Sequence, residues 1–137
     1  MLTDAQVLHY QEKGFLVMEE LICKEEIQRL KNAALGIVDG FDINKHKSVF
    51  TTTDRDSGRD EYFYKSAEHS HCFLEEDALN KNGDLVKPKH LAINKIGHAM
   101  HDLDPDFKHF CSLPIFKDIL SEIGYKAPLL WQTMYIF

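Results

Sequence analysis

The stretch Leu129-Leu130-Trp131-Gln132-Thr133-Met134-Tyr135-Ile136-Phe137 constrains this chain more than any other. It is the densest apolar and aromatic run present, made of the β-branched and aromatic types that fill strands. Gln132 and Thr133 break it in the middle, so a strand here can bury apolar surface and still carry polar groups inwards. Side chains alternate along a strand, which sets Gln132 and Met134 on one side and Thr133 and Tyr135 on the other. A face offering Gln and Met can line a small-molecule pocket or be plain core. The run stops on Phe137 with no turn or polar exit. Natural sheets pair or cover such strands, so this one is expected to need neighbours beyond those the 137 residues supply.

The length is that of one domain able to bury its own core. At 44% hydrophobic and 28% charged the chain is globular in composition, and its net charge of −6, with lysines scattered among acids, argues against a nucleic-acid partner held through phosphates. Cys23, Cys72 and Cys111 lie far apart, which fits free thiols in a reducing, intracellular and cytoplasmic setting better than a disulfide frame. No secretory leader is visible at the N-terminus, and no apolar run approaches the ~20 residues of a membrane span.

Taken in order, Thr3-Asp4 signals the start of a helix that Gly14 ends. Phe15-Leu16-Val17-Met18 reads as a short buried strand. Ile27, Leu30, Ala34 and Ile37 recur at helical spacing over 24–38, with Asp39-Gly40 as the close. The polar stretch from Thr51 to Asp60 reads as a loop, flanked by possible strands at 48–51 and 61–64. Asn80-Lys81-Asn82-Gly83-Asp84 predicts a hairpin joining 72–76 to 85–87. His90–Leu103 reads as one helix with Ile93, Ile96 and Met100 on a face and His98 and His101 one turn apart. Asp104-Pro105 starts another helix, Pro114–Glu122 forms a further one closed by Gly124, and Pro128 leads into the terminal strand.

Candidate chemistry is sparse. His98-x-x-His101 with Asp102 and Asp104 has metal-ligand types at helical spacing, and ordinary surface histidines are the plainer account. His69-x-His71 is a weaker pair of the same kind. Cys72 and Cys111 have no neighbouring base and read as buried structural thiols. Lys95 sits among apolar residues, where its ammonium could face an interior anion such as a carboxylate; on spacing alone a snorkelling lysine suffices.

The stretches YQEKGFLVMEELICKEEIQRL, INKIGHAMHDLDPDFKHFC and LLWQTMYIF together resemble the phytanoyl-CoA dioxygenase family over essentially the whole chain. That resemblance implies an Fe(II)- and 2-oxoglutarate-dependent oxygenase acting on a small molecule. Its fold would be α+β, with helices before the first strands of a double-stranded β-helix, the jelly roll of cupin-like proteins. It also implies that Lys95 and Met134 belong to the 2-oxoglutarate site. The family holds iron with a His-x-Asp pair and a distal histidine, and none of the eight histidines here has Asp two residues on. Residues 1–137 are therefore expected to be the N-terminal part of one such domain, without iron ligands and inactive alone. The competing expectation is a non-catalytic fragment or binding module.

Overall fold

The computed structural model describes residues 2–51 and 61–137. Helix α1 spans Asp4–Lys13 and is closed at both ends by its own sequence. The Thr3 side chain accepts from the Gln6 backbone while the Gln6 side chain accepts from the Thr3 N–H, and Gly14 ends the helix at φ 80°. The next four residues do not form the expected strand. Phe15 is 58% exposed, and no strand among the described residues lies alongside to pair with the backbone there.

Helix α2, Lys24–Gly40, runs two residues past the expected end and buries Ala34 and Val38. The 61–64 segment is helical, not extended: Glu61–Lys65 forms α3, followed by a single 3-10 turn at Ser66–Glu68. An i,i+4 pair, Lys65 to Glu61 at 2.7 Å, suits that helical turn. Of the 48–51 segment, Val49 makes one isolated parallel bridge to Leu74. The 52–60 loop expected from sequence lies outside the described residues.

Strand β1, Ser70–Leu74, does not turn back on 85–87. It pairs antiparallel with β2, Ile93–His98, placing Phe73 opposite Lys95 and His71 opposite Gly97. The Asn80–Asp84 turn exists, with the Asn80 side chain accepting from the backbones of Asn82 and Asp84 and Gly83 at φ 81°, but it closes only a single Leu79–Leu85 bridge.

The larger correction concerns residues 90–103. In place of one helix there is a short turn, α4 (Lys89–Ala92), then β2, then a second short turn, α5 (Met100–Leu103). β2 is the central strand of a three-stranded antiparallel sheet, and β3, Thr133–Ile136, is its other neighbour, with Met134 opposite Gly97 and Ile136 opposite Lys95. A central strand covered on both faces lacks the apolar–polar alternation that identifies strands in sequence. The terminal strand is shorter than its apolar run: Leu129 to Trp131 precede it, with Trp131 87% exposed. Between the sheet strands, α6 (Pro105–Cys111) starts from an Asp104 carboxylate that accepts from the backbones of Asp106 and Phe107, and α7 (Pro114–Glu122) follows.

One face of the sheet, carrying Cys72, Leu74 and Ile96, packs on Ala34 and Val38 of α2 and on Met100 and Phe107 to form the main core. The opposite face carries Phe73 and Lys95. The observed architecture is α+β, helices around a small antiparallel sheet. No helix among the described residues is long and apolar enough to cross a membrane.

Candidate functional site

The feature of chemical interest is the buried cation on that second face. Lys95 is 5% exposed, at the middle of the central strand. Its Nζ lies 3.6 Å from the centroid of the Phe50 ring, 5.3 Å from Phe73 and 5.6 Å from Phe63. Its one polar contact among the described residues is the thioether Sδ of Met134, at 3.9 Å. A thioether is a weak acceptor, and cation–π attraction from three rings replaces only part of the hydration an ammonium loses. Burial accordingly lowers the Lys95 pKa from its ordinary value, with no opposing contribution from a carboxylate. The acid nearest along β1, Glu75, takes a hydrogen bond from Asn94 instead. The two residues that the resemblance singled out, 39 apart in sequence, are thus side-chain neighbours on one face of the sheet.

The local folding that does this is simple. Phe73 and Ile136 flank Lys95 in register, and His71 and Met134 flank Gly97, so two adjacent rows share one face. The Met134 side chain lies across Gly97, its Cγ 3.5 Å from where a Cβ would stand. α3 brings Phe63 over the strand, and the 48–51 segment brings Phe50.

His98 lies in the same neighbourhood, and spacing did not suggest it. Its ring centroid is 5.7 Å from Phe63 and 6.0 Å from Phe73, two of the rings that wall Lys95. Its Nδ1 is 2.7 Å from the hydroxyl of the fully buried Ser66. Burial first, then the Lys95 charge and His71, lower the His98 pKa, which keeps the ring neutral. The helical spacing expected for His98 and His101 does not exist, because His98 ends a strand. His101 turns to β3 instead, with Nδ1 3.2 Å from the Thr133 hydroxyl. His69 and His71 do fall on one side of β1, with rings stacked at 5.2 Å, and His71 stacks on Tyr62 at 3.9 Å. Among the described residues no three His, Cys, Asp or Glu side chains converge as a metal site. The described residues therefore do not offer a ligand set that fits iron.

The thiols behave as structural groups. Burial pushes the Cys72 thiol up to about 11 and also raises Cys111, so neither is a ready thiolate near neutral pH. Cys23 is exposed.

Comparison with known proteins supplies the framework for these residues. The family model described as phytanoyl-CoA dioxygenase (PhyH) matches residues 10–137. The chain is 38% identical over 136 residues to the phytanoyl-CoA dioxygenase of Arabidopsis thaliana, covering 99% of this chain and 48% of that protein. It is 41% identical over 130 residues to the phytanoyl-CoA dioxygenase domain-containing protein 1 homolog of Caenorhabditis elegans, covering 93% and 45%. With phytanoyl-CoA dioxygenase domain-containing protein 1 of Danio rerio it shares 32% over 142 residues, covering 100% and 49%. The chain spans about half the length of these relatives. A match over nearly all its residues, to the family model and to several relatives alike, makes this chain a member of the phytanoyl-CoA dioxygenase family.

Proposed function

We propose that this chain is the N-terminal part of a single jelly-roll domain in an Fe(II)- and 2-oxoglutarate-dependent dioxygenase, and that it contributes the Lys95–Met134 side of the 2-oxoglutarate site. The observation that carries this reading is a buried ammonium whose surroundings hold aromatic rings and a thioether but, among the described residues, no anion. Leaving a buried charge uncompensated is costly, and a ligand carboxylate supplies the missing partner. Lys95 would hold that carboxylate as a point charge. Phe50, Phe63 and Phe73 would exclude water from the pair, and Met134 would shape the adjoining wall. Iron held elsewhere in the whole protein would, with 2-oxoglutarate, supply the oxidising chemistry. The iron ligands belong to sequence outside this chain, and the substrate is a small molecule met by the whole protein in a cytoplasmic setting.

This division of labour predicts that purified 1–137, given Fe(II), dioxygen and 2-oxoglutarate, forms no succinate above the metal-only background. Iron-dependent succinate formation that disappears in Lys95→Ala would contradict it. A second reading, a non-catalytic product or binding module, starts from the sequence itself, in which no histidine has Asp two residues on. A reading frame that continues past the Phe137 codon into a His-x-Asp motif decides for the enzyme; a stop codon there decides for the module.

A further inference from the structure

The hydrogen bonds around His98 settle where its proton sits. The Ser66 hydroxyl has one hydrogen, and it donates it to the Phe63 carbonyl at 2.5 Å, since a carbonyl can only accept. Ser66 Oγ must then accept from His98, so the hydrogen in the 2.7 Å contact belongs to Nδ1. A neutral ring with its proton on Nδ1 has a bare lone pair on Nε2. That atom has no partner among the described residues, the ring is 7% exposed, and it shares Phe63 and Phe73 as neighbours with Lys95. The titratable groups that face the ring are Lys95 on its own strand and His71 on β1; Ser66 and Phe63, packed against it, carry no charge. The His71 Nδ1 is itself committed as a donor to the Tyr62 carbonyl at 2.9 Å. Among the described residues the neighbourhood thus offers an anion the Lys95 ammonium and a lone pair that can become a second cation.

We propose that His98 is a second anion-holding residue of the Lys95 pocket, and that it becomes one by taking a proton on Nε2 when a small dicarboxylate binds. The step is a protonation balanced by the buffer: Nε2 gains an N–H that donates to a carboxylate oxygen, and Nδ1–H stays on Ser66. This deepens the 2-oxoglutarate reading and rests on it. The sign of the pH dependence follows. The free ring has a pKa below the ordinary 6.5 and the ligand-bound ring one above its free value, so binding takes up a proton between the two. Affinity therefore rises as pH falls through that window, by up to about tenfold per pH unit, and levels off below the free value.

The test is calorimetric titration of 2-oxoglutarate into the metal-free chain across pH, in buffers of different ionisation enthalpy, with 15N imidazole spectra of the same samples. Expected are net proton uptake on binding, a free His98 protonated on Nδ1 alone, and a bound ring protonated on both nitrogens. In His98→Asn the amide N–H can still donate to Ser66, so the proton uptake and the acid-side gain in affinity are expected to vanish while Lys95-dependent binding persists. Binding that depends on Lys95 but takes up no proton, or a free ring protonated on Nε2, overturns this inference and leaves the 2-oxoglutarate reading intact. Absence of any 2-oxoglutarate binding overturns both. The spectra of the unsubstituted chain decide the tautomer even where His98→Asn fails to fold.

Discussion

Lys95→Met is expected to move two quantities in opposite directions. Affinity for 2-oxoglutarate should fall by about thirtyfold or more, because truncating one partner of a desolvated charge pair costs roughly 2–5 kcal/mol. Stability of the ligand-free chain should rise by on the order of 1 kcal/mol, since the variant removes a buried charge without a counter-ion and leaves an apolar chain against the same rings. Attraction to Phe50 at 3.6 Å offsets part of that gain and keeps it modest. The pH dependence carries the same sign. Folding lowers the Lys95 pKa, so the folded state binds fewer protons than the unfolded one as pH climbs towards the ordinary lysine value. The wild-type chain should then regain stability with rising pH, and the gap to Lys95→Met should narrow. Paired urea melts and ligand titrations read both quantities. A variant less stable than wild type at neutral pH would mean that Lys95 serves structure rather than ligand.

Phe73→Ala should be the most damaging single truncation on the sheet. Phe73 is 0% exposed, sits opposite Lys95 in register, and meets Tyr62 and Phe63 edge-on at 5.6 and 5.7 Å. Emptying that position should cost about 3–5 kcal/mol, a large part of the roughly 5–15 kcal/mol that holds a domain folded. It also removes a wall of the Lys95 pocket, so ligand affinity should fall with stability. Phe15→Ala is the matched contrast: its ring is largely exposed and meets His9 edge-on, so a loss within about 0.5 kcal/mol is expected. Equal losses at the two positions, read from urea midpoints, would mean that the burial assigned to them is wrong.

The contrast between these two phenylalanines also shows what the sequence can and cannot disclose. Signals that act within a few residues were legible. Thr3 with Gln6, Gly14, Asp104-Pro105 and the Asn80–Asp84 turn each satisfy backbone groups close by, and each appears where its residues indicate. The periodicity of α2 was legible for the same reason, since one helix face meets one core. Strand identity was legible for β3, inside the terminal run, and for β1, which overlaps 72–76, but not elsewhere. Phe15–Met18 has the composition of a strand and pairs with no strand among the described residues. β2 has partners on both sides, and being covered on both faces it shows no alternation. Its pairing with β1, over twenty residues upstream, and with β3, nearly forty downstream, depends on contacts that no short window contains.

Site residues divide in the same way. Lys95 stands out by its apolar neighbours and Met134 by its strand face, the family resemblance joins them to one site, and nothing in their spacing places a thioether beside an ammonium. His98 was visible only as half of a helical histidine pair that does not form. Its place near Lys95 depends on β2 being a strand, and its tautomer on Ser66 and Phe63 more than thirty residues earlier. A serine three residues after an aromatic is too common a pattern to serve as a signal.

The most direct test of the Lys95–Met134 site uses the methionines as reporters. The chain has four, Met1, Met18, Met100 and Met134, and of the latter three only Met134 touches Lys95, Met100 being buried in the core on the opposite face of the sheet. In methyl-labelled, metal-free protein titrated with 2-oxoglutarate, the Met134 methyl signal should shift saturably while that of Met18 stays in place, and the shift should be lost in Lys95→Met. A spectrum in which Met134 does not move, or moves equally in Lys95→Met, would contradict the assignment of Lys95 and Met134 to a carboxylate-binding site.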